Sequence, residues 1–263
     1  LPQSQEAVAK QIELDLPRTF PEHKLFATEG GRAALRRVLL AHARRSPHIG
    51  YTQSMNFLAA FLLLLVPTEG VTVRGVRMGV EEASFWLLCA ITERLLPEHY
   101  CAEMIGVRVD TLVLMELLQS HRSLSGVLQT MRDSDFELET VATQWFLLAF
   151  LNALPTETTL RVWDLFFTVG PRALVAAALA TIRLLSPILI SASGSFERIY
   201  AALKEPQAAT LDSDVFVRVM LAELRALPAS RFAQARQTAR QEVLEQNRQR
   251  ELRRRSYQQA AAA

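Results

Sequence analysis

The sequence predicts an all-α protein built as two multi-helix lobes. Three observations carry that expectation. Apolar residues recur at spacings of three and four along most of the chain instead of alternating, which is the pattern of amphipathic and buried helices. Proline and glycine fall between those stretches and punctuate them. Half of the 263 residues are apolar and 21% are charged, an ordinary globular composition in a chain long enough to bury a substantial core.

Residues 4–14 read as a helix, with Ala7, Val8, Gln11 and Ile12 at helical spacing. Pro17 and Pro21 stop it, and each pushes the residue before it, Leu16 and Phe20, toward extended backbone. Arg18 is therefore expected in a short, stiff segment beside Asp15. A stiff segment presents an arginine with little conformational entropy left to lose. Residues 31–45 form an amphipathic helix, with Ala34, Leu35, Val38 and Leu39 opposite Arg32, Arg36, Arg37, Arg44 and Arg45. That basic face reads first as solvated and second as a surface that steers an acidic partner.

Pro47 and Gly50 break this helix, and the apolar run Phe57–Val66 predicts a buried one. Gln53 falls at or just before its first turn, where backbone N–H groups are free and the helix dipole favours negative charge. A carboxamide both donates and accepts, so it can hold a water and a phosphate oxygen at once. Residues 66–80 contain three glycines and one proline and predict a long mobile loop, with at most a weak strand pair near Val71–Val73.

Helices are predicted at 81–95, 107–119 and 124–130, with Gly126 as a candidate turn. The boundary between lobes is placed near 125–136, so the first lobe spans about 1–130 and the second about 131–230. The second lobe opens with a helix over 138–152. It continues through 158–169, with Thr156 as N-cap, then 172–186, 195–203 and 211–226, the last capped within Asp212-Ser213-Asp214. Trp145, Trp163 and Asp164 are assigned to architecture, as partners for one another's polar groups. Residues 231–263 are set apart as an Arg-rich helix and tail, solvated and lightly docked, with a membrane-surface or partner-binding helix as the alternative.

Composition limits the function classes. A net charge of +2 is too small to argue for nucleic acid. Cys89 and Cys101 read as buried thiols, and neither they nor the five histidines show metal-type spacing. The longest unbroken apolar run has ten residues, about half of what a bilayer crossing needs. No signal-peptide pattern is visible, and a cytoplasmic location is expected. G-x-S-x-G, Walker and Rossmann patterns are all missing from the sequence, so no nucleotide site of its own is expected.

Two short motifs carry the functional reading: Ile12-x-x-Asp15-x-x-Arg18, followed by Thr19-Phe20-Pro21, and Tyr51-x-Gln53, followed by Ser54-Met55-Asn56-Phe57. With Glu81-Glu82-Ala83-Ser84-Phe85-Trp86, Trp145-Phe146 and Arg161-Val162-Trp163-Asp164, they resemble the TBC domain, the family of GTPase-activating proteins for Rab-type small GTPases. The resemblance covers roughly residues 1–230 and implies a two-lobed helical TBC-type domain. It implies that Arg18 is an arginine finger and that Gln53 is a glutamine finger replacing the GTPase's own catalytic glutamine. Asp15 and Tyr51 are then expected to position the finger loops, and Thr19 and Asn56 to support them or touch the partner.

The implied partner is a GTP-bound Rab-type GTPase that carries the GTP and Mg²⁺, so the chain needs no cofactor or metal of its own. Nucleic acid is not implied, and peripheral membrane association is left open. A catalytically silent TBC-fold binding module is the alternative. Two departures stand out. The family usually has glycine after the finger glutamine, and here it is Ser54. The family also usually begins some tens of residues earlier, so the chain is expected to be a fragment lacking the first helices. The family is usually shorter at 66–80, which marks that stretch as an insertion.

Overall fold

A computed structural model of the chain describes residues 4–262, with side chains through residue 258. Among the described residues it contains twelve α-helices, short 3-10 and π turns, and one two-stranded hairpin. The all-α class holds. The chain divides into two compact units between Glu103 and Met104.

The first unit begins with α1 (Gln5–Asp15), whose first turn is closed by Ser4 Oγ accepting from the Ala7 N–H at 3.1 Å. A 3-10 turn, Leu16–Arg18, follows directly. Leu16 is helical, at φ −54° and ψ −51°, not extended as Pro17 suggested; its side chain is buried, and that seat in the core outweighs a local preference. Phe20 is likewise not extended, with φ +44°. Its ring packs edge-on against Phe57, centroids 5.4 Å apart.

Thr28 caps α2 (Glu29–Arg45) by accepting from the Gly31 N–H. α3 (Met55–Leu65) is almost wholly buried, as its apolar run predicted. Instead of an irregular loop, β1 (Val71–Val73) pairs antiparallel with β2 (Val76–Met78), Val73 opposite Val76. Arg74 and Gly75 turn the hairpin at φ +51° and +81°, the paired positive φ values of a type I′ turn. α4 (Val80–Cys89) then runs into a π turn, Ala90–Leu95. Within this unit α2 packs against α1, α3 and α4, and α3 against α4. Ile12, Leu35, Leu39 and Leu58 fill the contact, each contributing about 1.5–3 kcal/mol by burial.

The second unit comprises α5 (Ile105–Ser120), α6 (Ser125–Asp133), α7 (Glu139–Leu147), α8 (Thr156–Val169), α9 (Arg172–Ser191), α10 (Phe196–Lys204), α11 (Ser213–Ala226) and α12 (Ala229–Ala262). The stretch 125–136, expected to divide the lobes, lies inside this unit: Gly126 is helical, and α6 packs on α5 and α9. The helix expected over 138–152 ends at Leu147, because Ala149 and Phe150 take φ +45° and +68°. The Ala149 carbonyl accepts from Trp163 Nε1–H at 2.9 Å. Trp163 thus finds its partner in this bend, and Asp164 is exposed. Pro155, not Thr156, holds the N-cap position of α8, whereas Asp212 Oδ1 does cap α11.

α9 continues through Pro187. By length and composition it could cross a membrane, with hydropathy 2.1 over its apolar window, but 67% of that window is buried. It packs against α5, α6, α7, α8, α10 and α11, the setting of a core helix. Counting unbroken apolar runs overlooked it, since Thr181, Arg183 and Ser186 interrupt the run. α12 is likewise more than a solvated tail. Phe232, Ala235, Ala239 and Val243 are buried, and the helix lies along α5. Arg236 Nε sits 2.7 Å from the buried Asp110 carboxylate. Residues 248–258 are exposed, as expected.

Candidate functional site

The residues singled out by the two motifs meet in the first unit. Asp15 ends α1 with its side chain buried. One carboxylate oxygen accepts from Arg18, and the other accepts from the Tyr51 hydroxyl at 2.6 Å. Tyr51 is buried, and burial, reinforced by the Asp15 carboxylate, pushes its phenol pKa far up. The phenol therefore stays a donor to Asp15. Arg18 is half exposed; Asp15 anchors one end of a guanidinium that carries five N–H donors.

A second link lies on the other side of each finger. Thr19 Oγ1 donates to the Asp15 carbonyl at 2.7 Å and accepts from Asn56 Nδ2–H, also at 2.7 Å. Asn56 Oδ1 accepts from the Ser54 N–H at 3.1 Å. Both side chains are buried. The residues flanking Arg18, Asp15 and Thr19, are thus tied to the residues flanking Gln53, Tyr51 and Asn56. Gln53 itself is exposed, and its carboxamide makes no hydrogen bond among the described residues.

Two expectations change. The start of α3 is not an open row of donors: the N–H groups of Ser54, Met55 and Phe57 bond to Asn56 Oδ1, the Thr52 carbonyl and the Ser54 carbonyl. The basic face of α2 is largely neutralised. Arg36 forks onto Glu13, at 2.5 and 3.0 Å, and Arg37 onto Glu81, at 2.8 and 2.6 Å. Arg32 pairs with Glu29 and Arg45 with Glu93, both at 3.2 Å. The Arg36 guanidinium accordingly holds the Glu13 carboxyl below its ordinary range. Little free positive charge remains on that face to steer a partner.

Asn56, expected to support the loops or touch the partner, bonds the Ser54 backbone, and the sequence reading missed its link to Thr19. A buried asparagine in an otherwise apolar helix was the available signal, since such a group needs partners. The reading also missed the backbone at Ser54, which takes φ +104° and ψ −31°. The family's usual glycine suits that conformation, so the serine there carries local backbone strain.

Among the described residues, His42, Cys89 and Glu93 bring ligand-type atoms within 4.8 Å of one another. Most of their ligand capacity is already engaged within the protein. His42 Nε2 and Thr92 Oγ1 are hydrogen-bonded at 2.8 Å, and Thr92 Oγ1 lies 3.0 Å from the Leu88 carbonyl. Glu93 accepts from Ser46 and Arg45, and burial pushes the Cys89 thiol up to about 11. An arginine on the carboxylate opposes a cation there.

These features define a helical domain that carries two polar side chains on loops braced against each other by buried hydrogen bonds. The family model for the Rab-GTPase-TBC domain matches residues 1–190. The chain belongs to this family. It is 36% identical over 239 residues to the small G protein signaling modulator 3 of Bos taurus, a match covering 90% of this chain and 29% of that protein. It is 37% identical over 194 residues to the growth hormone-regulated TBC protein 6 of Caenorhabditis elegans, covering 74% of this chain and 54% of that protein. The chain thus spans between under a third and about half of these relatives' length. Among solved structures, the Chlamydomonas flagellar RabGAP TBC domain superposes with a TM-score of 0.66 at 31% identity, covering 81% of this chain and 67% of that one.

Proposed function

We propose that this domain stimulates GTP hydrolysis by a Rab-type small GTPase in its GTP-bound form, with Arg18 and Gln53 as fingers supplied in trans. Membership of the family supports Rab GTPase activation at the level of the class. The observation that carries the finer reading is the double tie, Asp15–Tyr51 and Thr19–Asn56, which brackets Arg18 and Gln53 between buried anchors. Phosphoryl transfer needs charge neutralised on the transferring group and a water oriented for attack. Arg18 suits the first task, since its guanidinium is always charged and bonds phosphate oxygens in a fork. Gln53, exposed and uncommitted, suits the second. GTP and Mg²⁺ belong to the partner.

The Arg18–Asp15 ion pair is the one observation that favours the silent-module reading, because it gives Arg18 a purely structural task. Single-turnover GTP hydrolysis across a panel of GTP-loaded Rab proteins decides between the two. An arginine finger is worth about 10³–10⁵ in rate, so roughly 4–7 kcal/mol. Arg18→Ala and Gln53→Ala should each lose at least ~10²-fold of the stimulated rate. Full stimulation by both variants would remove the finger assignment.

A further inference from the structure

Resting on the activator reading above, we propose that Asn56 is a positioning residue that sets both finger loops as one unit. Beyond the Asp15–Tyr51 bond, its carboxamide hydrogen-bonds to both loops at once. It donates to Thr19, next to Arg18, and accepts from the backbone of Ser54, next to Gln53. The donor and acceptor roles are dictated by the neighbours. The Thr19 hydroxyl proton is committed to the Asp15 carbonyl, so Thr19 offers Asn56 a lone pair and requires a donor. The Ser54 N–H requires an acceptor. A carboxamide meets both demands from one buried side chain, and a carboxylate or an aliphatic group of the same size does not. The bonds form a closed path: Asp15 carboxylate to Tyr51, along the chain to Ser54, through Asn56 and Thr19, and back to the Asp15 carbonyl. A shift of either loop must break a buried bond in the other.

The test uses Asn56→Asp, Thr19→Val and Thr19→Ser on the whole chain, with melting temperatures checked first. If Asn56→Asp does not fold, the near-isosteric Thr19→Val, set against Thr19→Ser, carries the comparison. Amide hydrogen exchange needs no partner. Thr19→Val should speed exchange in both segments, 16–19 and 51–54, and Thr19→Ser, which keeps the hydroxyl, should recover at least part of the protection. With the Rab most strongly stimulated by wild type, the saturating single-turnover rate should fall by about 10- to 100-fold, the cost of misplacing a catalytic group by about an ångström. The half-saturating concentration should stay within about twofold. Added to Arg18→Ala, Thr19→Val should cost less than it does alone, since one of the two fingers it positions is already removed.

Unchanged exchange in either segment, a rate loss confined to half-saturation, or a full additive loss on top of Arg18→Ala would each overturn the proposal. If wild type stimulates no Rab, the activator reading fails on its own. The exchange data then decide alone whether Asn56 couples the loops.

Discussion

Replacing Ser54 with glycine should stabilise the domain. Ser54 immediately precedes α3 with φ +104° and ψ −31°, a region where a Cβ crowds the backbone and which L residues rarely occupy. Holding a non-glycine residue in such a conformation costs about 1–3 kcal/mol. Glycine removes that strain but returns about 0.5–1 kcal/mol through its freer unfolded chain. The serine side chain makes no capping hydrogen bond that the change would lose. The expected net gain is about 0.5–2 kcal/mol, or a few degrees in melting temperature for a unit of this size. Urea unfolding followed by circular dichroism reads it as a higher midpoint at an unchanged slope. A midpoint equal to or below that of wild type would refute the strain argument, and with it the explanation of why glycine is usual here in the family.

The burial pattern fixes three further outcomes. Burial lowers the His42 pKa from 6.5 to about 4, against the pull of Glu93, so between those values the unfolded chain binds more protons than the folded one. The stability this represents, roughly 3 kcal/mol, is fully present above pH 6.5 and is lost as pH falls toward 4; His42→Gln should flatten that slope in urea midpoints measured at pH 7 and 4.5, and parallel slopes would contradict it. In α12, Val243→Ala should cost about 1.5–3 kcal/mol, because Val243 is fully buried. Removing residues 248–263, whose described side chains are exposed, should shift the midpoint little, and a large loss on that truncation would show the docked half of the helix to be wrongly assigned.

The helices were legible wherever the apolar period was long, as in α2, α3 and α11. They were misjudged where a single residue was read too locally. Pro187 did not end α9, Pro17 did not extend Leu16, and Ala149 and Phe150 ended α7 without a glycine or proline to announce it. In each case packing against distant elements outweighed a preference worth about 1–3 kcal/mol. α12 was underrated because its buried positions, Phe232, Ala235, Ala239 and Val243, are two alanines and two larger residues among many arginines. Small side chains give a weak hydrophobic signal yet permit close packing.

The sequence by itself determined the helical class, the family, and the two side chains whose chemistry suits a phosphate and a water, because these depend on periodicity and on residue type. Tertiary structure alone decided how the supporting groups, Asp15, Tyr51, Thr19 and Asn56, pair with one another. Asp15 reaches Tyr51 across 36 positions and Thr19 meets Asn56 across 37. Partners that far apart are chosen by how α1, α2 and α3 pack, and no local propensity encodes that choice.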